Sequence, residues 1–418
     1  MARLFKPRML ALAVLAALAS RAHAEPAAAP ARAEVLHWWT SGGESAAART
    51  LADAFRAAGG TWIDTAVAGS EQARAVAVSR VAGGNPPTAA LFNASRQFRD
   101  LVDQGQLTAL DDVARQGGWD RVMPPAILDA VRVNGHVYAA PVDIHMTAWI
   151  WYSKAAFKKA GIAAEPRSVE ELFQALDRLR AAGLIPLAHG GQPWQDSIVF
   201  RAVLASVGGR DLYLRVFRDR DPRAIESPEF RQVLLTFRRL HGYVDAGSPG
   251  RHWNDATGLL VAGRAGVQIM GDWVRAEFSA ARQRAGVDYG CLPGLGEHAP
   301  YVIQADAFVF PKNRDAATAR TQALLATTVT SPAVQVSFSS RKGSLPVRSD
   351  VELPSPDPCV ALAAALMRDR ARQLPNDEMF LTPDQAGAMA DVLTAYWNRD
   401  MPVETVQKKV VAALRDDL

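Results

Sequence analysis

From residue 34 onward, short apolar runs alternate with stretches whose apolar residues recur every three or four positions. That alternation predicts strands interleaved with amphipathic helices, the pattern of a parallel sheet covered by helices. The first run, Val35-Leu36-His37-Trp38-Trp39-Thr40-Ser41-Gly42-Gly43-Glu44, reads as a buried strand that ends in two tryptophans and a glycine turn. A helix follows, with Leu51 and Phe55 on one face and Gly59-Gly60 closing it. Strands are expected at 62–67 and 88–93, the latter with Asn93 at its carboxyl end, and a helix at 71–81 between them. Asn134-Gly135 between two apolar arms is a two-residue hairpin signal. Residues 141–152 form an extended stretch long enough to cross between lobes.

A second α/β unit opens with Ser168 and Glu171 in capping-box spacing, carries an apolar stripe through Leu172, Leu176 and Leu179, and closes at Gly183. A strand at 184–188 leads to His189-Gly190-Gly191-Gln192-Pro193-Trp194-Gln195-Asp196. Helices are expected through 200–207, 228–240 and 257–262, and another strand runs from Gly266 to end near Trp273. One strand at 301–310 is expected to return to the first lobe. A helix at 332–338, a third crossing at 345–348 and a helical remainder complete the chain.

The N-terminus changes how the charge is read. Arg3, Lys6 and Arg8 precede an apolar run at 9–19, and Ala22-His23-Ala24 puts small residues at the −3 and −1 positions of a cleavage site before Glu25. This predicts a secretory signal at 1–24 and an Ala/Pro-rich flexible leader at 25–33. The chain's 47 basic and 43 acidic residues give +4, but the signal carries four basic residues and no acid. The exported protein is therefore neutral, with no basic stripe to suit nucleic acid. A chain of 418 residues exceeds one ordinary core, so two lobes are expected. Cys291 and Cys359 are the only cysteines. Export permits a disulfide, but their separation leaves the pairing open, and no cysteine–histidine spacing suggests a metal.

Adjacent strand residues point to opposite faces, so only one of Trp38 and Trp39 packs inward. The other stands at the strand's carboxyl end, where open α/β sheets place ligands, with Glu44 beside it. An indole face next to a hydrogen-bonding carboxylate suits a sugar ring. The chain contains no G-x-S-x-G elbow, P-loop, H-E-x-x-H or strand-following G-x-G-x-x-G. A glycosidase needs only two carboxylates, so Glu44, Asp143, Asp306 and Glu378 leave that class open. His145 and His189 read as residues that order loops.

The run 35–44 resembles the mature N-terminus of periplasmic glucose-binding proteins of ABC transporters, of extracellular solute-binding protein family 1. Five further stretches agree in order: Gly83-Gly84-Asn85-Pro86-Pro87, Pro141-Val142-Asp143-Ile144-His145, residues 185–196, residues 266–273 and Lys342-Gly343-Ser344-Leu345-Pro346-Val347-Arg348. The resemblance implies a two-lobed α/β fold of type II, like maltose-binding protein, with hinge-crossing strands. One lobe would be residues 34–142 with 303–346, the other 143–302 with 347–418. It also implies a non-catalytic monomer without cofactor that closes on a carbohydrate and presents it to an inner-membrane permease. By position, Trp38 and Trp39 match an aromatic wall, Glu44 a hydroxyl acceptor, and Trp253 and Trp273 the second lobe's aromatic contacts. Asp306 with Gln304 matches a polar contact from the returning strand, and Lys342 a donor to hydroxyls. With Asn93, Asp143, His145 and Asp377, these form the candidate ligand-binding set.

Two positions depart from that pattern. Asn93 stands where these glucose binders carry a lysine, and Asp377-Glu378 stands where they carry a ligand histidine. Each unmatched buried polar group costs roughly 1–3 kcal/mol, so the departures point to a different or larger carbohydrate, or to a role outside transport. Another small polar ligand, a sensory partner in place of the permease and, from another class, a secreted carbohydrate-active enzyme are the alternative readings.

Overall fold

The computed structural model describes residues 31–296, 300–313, 315–353 and 357–415. The expected signal and the leader up to residue 30 lie outside the described residues. The first sheet is built on β1 (Ala31–His37), which runs parallel to β2 (Gly60–Ala66) and β3 (Ala89–Asn93). Its core residues Ala33, Val35 and Leu36 are fully buried, as a parallel strand covered on both faces requires. β1 starts at Ala31, three residues before the expected boundary, because Ala31, Arg32 and Ala33 already pair with Gly60, Thr61 and Trp62. Helices Gly42–Ala57 and Ser70–Ala82 make the crossovers.

The hairpin β4 (Arg132–Val133) and β5 (His136–Val137) turns through Asn134 (φ 50°) and Gly135 (φ 84°), the left-handed pair of a type I′ turn. β6 (Ala139–Pro141) joins the first sheet, and the chain then crosses through β7 (His145–Met146) into β8 (Trp149–Ser153). Every residue of β8 is buried. It lies inside a second sheet with β9 (Ile185–Leu187), β10 (Ala265–Met270) and β11 (Tyr289–Leu292), in the order β11-β8-β10-β9. The helix of the second unit is capped by Ser168, which accepts from Glu171 N. Glu171 reciprocates one residue early, accepting from Arg167 N, so the expected box is half formed.

The run at 301–310 is two strands rather than one. β12 (Tyr301–Gln304) pairs with β7 and with β14 (Gln373–Pro375) in a small sheet between the lobes. β13 (Asp306–Val309) joins the first sheet between β3 and β6. The ladder changes hands at the break: Ala305 O accepts from Ala94 N, and Asp306 N donates to Asp143 Oδ1. β14 also corrects the expectation of a wholly helical remainder; its Leu374 is fully buried against this small sheet. Ile144 and Leu345 form a reciprocal pair, their amides and carbonyls bonding at 2.8 and 2.9 Å.

Cys291 and Cys359 are bridged, tying the end of β11 to helix Pro358–Arg368. In the chain-entropy account, closing a loop of this size stabilises by roughly 4 kcal/mol. No described helix is long and apolar enough to cross a membrane.

Candidate functional site

The ends of β1, β3, β7, β10 and β12 converge on a cavity of about 290 Å³ between the lobes. That volume is at the lower end of small-molecule sites, the size of one or two sugar rings rather than a long chain. Its chemistry begins with the two tryptophans. Trp39 turns inward, 1 % exposed, packing against Phe308 and Phe338. Its Nε1 donates to Asp306 Oδ2 at 3.2 Å, so it sits behind the wall and positions an acid instead of touching the cavity. Trp38 takes the opposite face and lines the cavity, with the Arg74 guanidinium 5.8 Å from its ring centre.

Below Trp38 lies a buried ionic floor. Ser41 caps helix Gly42–Ala57 by accepting from Glu44 N, and its hydroxyl donates to Glu44 Oε2. Glu44 Oε1 accepts from Lys342 Nζ at 3.1 Å. Lys342 ends helix Pro332–Lys342 and is 2 % exposed. Burial opposes its charge, but Glu44, Asp306 and Asp143 outweigh that cost and hold its pKa above the ordinary lysine value.

His145 is held between carboxylates from both sides of the crossing. Nδ1 lies 2.6 Å from Asp272 Oδ1, while Nε2 lies 3.0 Å from Asp143 Oδ2 and 3.3 Å from Asp306 Oδ2. Burial pushes its pKa down and Lys342 adds to that, yet the three aspartates prevail and raise it well above 6.5. Asp143, His145 and Asp306 bring three ligand atoms within 4.8 Å of one another, a metal-like spacing. Asp272 holds Nδ1 and Lys342 already supplies a cation to these aspartates, so the geometry fits an ion-pair network.

The second lobe supplies the opposite wall. Trp253 starts helix Trp253–Val261 and meets Trp273 edge-on, with ring centres 6.5 Å apart; the Trp194 ring centre lies 6.4 Å from that of Trp273. Trp194 Nε1 donates to Gln192 Oε1, which fixes the ring's orientation. Lys342 Nζ sits 5.8 Å from the Trp273 ring centre, within range of a cation–π contact.

The far end is closed by the segment after β14. Glu378 lines the cavity, and its Oε2 accepts from Asn93 Nδ2 (3.0 Å), Gln97 Nε2 (2.9 Å) and Gln304 Nε2 (2.9 Å). Asp377 instead turns away, pairing with Arg201 Nη1 at 2.8 Å. Of the expected residues, Trp38, Glu44, Asn93, His145, Trp253, Trp273, Gln304, Asp306 and Lys342 line the cavity. Trp39, Asp143 and Asp377 are buried behind it. Sequence reasoning passed over Arg74, Gln192, Trp194 and Arg201, which also line it. Trp194 carried a readable signal: Pro193 at the first position of helix Pro193–Val203 places the indole on the opening turn. His189 is a loop-ordering residue, bonded to buried Asp196 at 2.8 Å.

The profile of the bacterial extracellular solute-binding proteins matches residues 39–336. A Brucella suis biovar 1 (strain 1330) protein named "Probable sugar-binding periplasmic protein" is 37% identical over 427 residues, covering 99% of each chain. A protein of the same name from Rhizobium meliloti (strain 1021) is 37% identical over 416 residues, 97% of each chain. Among solved structures, maltose-bound MalE3 of T. maritima superposes with a TM-score of 0.75 at 18% identity, covering 92% of this chain and 98% of that one, a likeness of fold. With that profile spanning most of its length and those relatives aligned over nearly all of theirs, the chain belongs to the bacterial extracellular solute-binding protein family and has a two-lobed α/β fold of type II.

Proposed function

We propose that this protein is the periplasmic binding component of an ABC importer, that it captures a small carbohydrate, glucose or a related sugar, between its lobes, and that it is not an enzyme. The observation that carries this reading is the pairing of apposed indoles with a polar floor. Trp38 stands on one lobe and Trp194, Trp253 and Trp273 on the other, while Glu44, Lys342, His145 and Asp306 lie between them. Indole faces take the C–H side of a pyranose and the floor takes its hydroxyls. The names of the relatives from Brucella suis and Rhizobium meliloti support the sugar and the compartment.

The rigid bodies in this reading are residues 34–142 with 303–346 and residues 143–302 with 347–418. They hinge where the chain passes from one body to the other, at 142–143, 302–303 and 346–347. Ligand contacts made from both lobes favour the closed form, which the permease then reads. The carboxylates nearest the floor are tied up by Lys342, His145 and Trp39, an arrangement that suits holding a ligand more than shuttling protons to it.

A thermal-shift screen tests the reading. Protein stripped of ligand by unfolding and refolding is heated with a panel of mono- and disaccharides, and the same oligosaccharides are incubated with it and analysed for products. A concentration-dependent rise in Tm with one sugar and no released product is expected. No shift with any carbohydrate, or turnover of an oligosaccharide, would contradict it.

A further inference from the structure

One carboxylate in the cleft, that of Glu378, makes no ion pair with a described residue. Glu378 Oε2 takes three side-chain amides, from Asn93, Gln97 and Gln304, which are neutral donors that fix the group without cancelling it. Its other oxygen, Oε1, accepts from no described residue, and Glu378 lines the cavity. The Arg201 guanidinium, which also lines the cavity, hydrogen-bonds Asp377.

The surroundings deepen the imbalance. Lys342 is paired with Glu44, Arg201 with Asp377, and His145 is shared among Asp143, Asp272 and Asp306. The buried acids around the site thus outnumber the buried bases, and Asp143 Oδ2 keeps no hydrogen bond of full geometry. At the rim, Glu71 and Arg74 line the cavity with one charge of each sign. A neutral polyol entering this cleft leaves the excess negative charge in place, in a setting of low dielectric where an unpaired charge is costly. A ligand that brings one positive charge relieves it. The cavity, sized for one or two sugar rings, accommodates a single ring with a small charged substituent.

We propose that Glu378 selects a sugar bearing a protonated amine, a hexosamine, whose ammonium donates to Oε1 while the ring stacks between the tryptophans. This rests on the carbohydrate reading above. The three amides act as a preset mount: they point the carboxylate before the ligand arrives, so no ordering cost falls on binding. Charge-assisted hydrogen bonds are roughly twice as strong as neutral ones, and the preference reads as a ratio of affinities.

Calorimetric titration of the stripped protein at pH 6 with D-glucosamine, N-acetyl-D-glucosamine and D-glucose tests this. D-glucosamine is expected to bind at least about tenfold more tightly than D-glucose, with the acetylated sugar, which has no charge, no better than D-glucose. Glu378→Gln keeps an acceptor for the three amides and removes the charge; it should bring the D-glucosamine to D-glucose ratio to about one. Equal or tighter binding of D-glucose by the wild type, or an unchanged ratio in Glu378→Gln, overturns the proposal and leaves carbohydrate capture standing. An absence of heat with these sugars and with a panel of disaccharides overturns the carbohydrate reading itself, and this proposal with it.

Discussion

Asn93 donates through Nδ2 to Glu378 Oε2 across 3.0 Å, joining the end of β3 to the turn after β14. These are the two places where the chain departs from the glucose-binding pattern it otherwise resembles, and in the structure they satisfy each other. A donor that the pattern would aim at the ligand is here aimed at a carboxylate, and the carboxylate faces the cavity. The polarity of that end of the site is inverted from donor to acceptor.

The two adjacent tryptophans separate binding from stability. Trp39 is buried against Phe308 and Phe338, so Trp39→Ala should cost about 3–5 kcal/mol in urea unfolding. It should also loosen Asp306, its hydrogen-bond partner. Trp38 lines the cavity, so Trp38→Ala should lower sugar affinity by tenfold or more while unfolding free energy changes by less than about 1.5 kcal/mol. The reverse assignment of the two effects would refute this placement of the rings.

The Lys342–Glu44 pair is almost wholly buried. Removing one partner leaves the other charged and uncompensated, so Lys342→Met should destabilise by about 3–5 kcal/mol. Lys342→Met combined with Glu44→Gln should recover part of that loss while binding stays abolished. A double-mutant cycle in urea reads the coupling; additive effects would show that the pair does not act as a unit.

His145 makes stability depend on pH in a definite direction. Its folded pKa lies well above the ordinary 6.5 because burial, which opposes protonation, is overcome by Asp143 and Asp272, with Asp306 adding to them. The stabilisation is therefore fully present below about pH 6.5 and is lost as pH rises through the folded pKa, by up to about 1.4 kcal/mol per unit. NMR should find the His145 imidazole still protonated at a pH where a free imidazole has lost its proton. Urea titrations should find the wild type losing stability relative to His145→Gln as pH rises above about 6.5. An imidazole that titrates near pH 6.5 would be evidence against the network.

Much of this was legible along the chain. Trp38 and Trp39 lie just past the end of β1 at His37, not within the strand as expected, yet one packs inward and the other lines the cavity as the reading required. Asn134-Gly135 announced the type I′ hairpin that forms. The break at Ala305 was hidden because Tyr301 to Phe310 is one continuous apolar run apart from Gln304 and Asp306, and only tertiary partners divide it between two sheets. β14 was hidden for another reason: three residues ending in Pro375 carry too little periodicity to declare a strand. Choosing Glu378 over Asp377 as the residue that faces the cavity required the geometry of the short turn Asp377–Met379, since neighbouring acids have no spacing that tells them apart. The reach of Arg74 over Trp38 was likewise set by how its helix packs.

Calorimetry on stripped wild-type protein and on Trp273→Ala, titrated with monosaccharides and disaccharides, decides whether the cleft walled by indoles holds a carbohydrate. One sugar is expected to bind in a one-to-one complex at micromolar concentration or tighter, and Trp273→Ala to lose at least about tenfold in affinity. Binding that survives unchanged without Trp273, or no heat with any sugar, would contradict a carbohydrate site between these indoles.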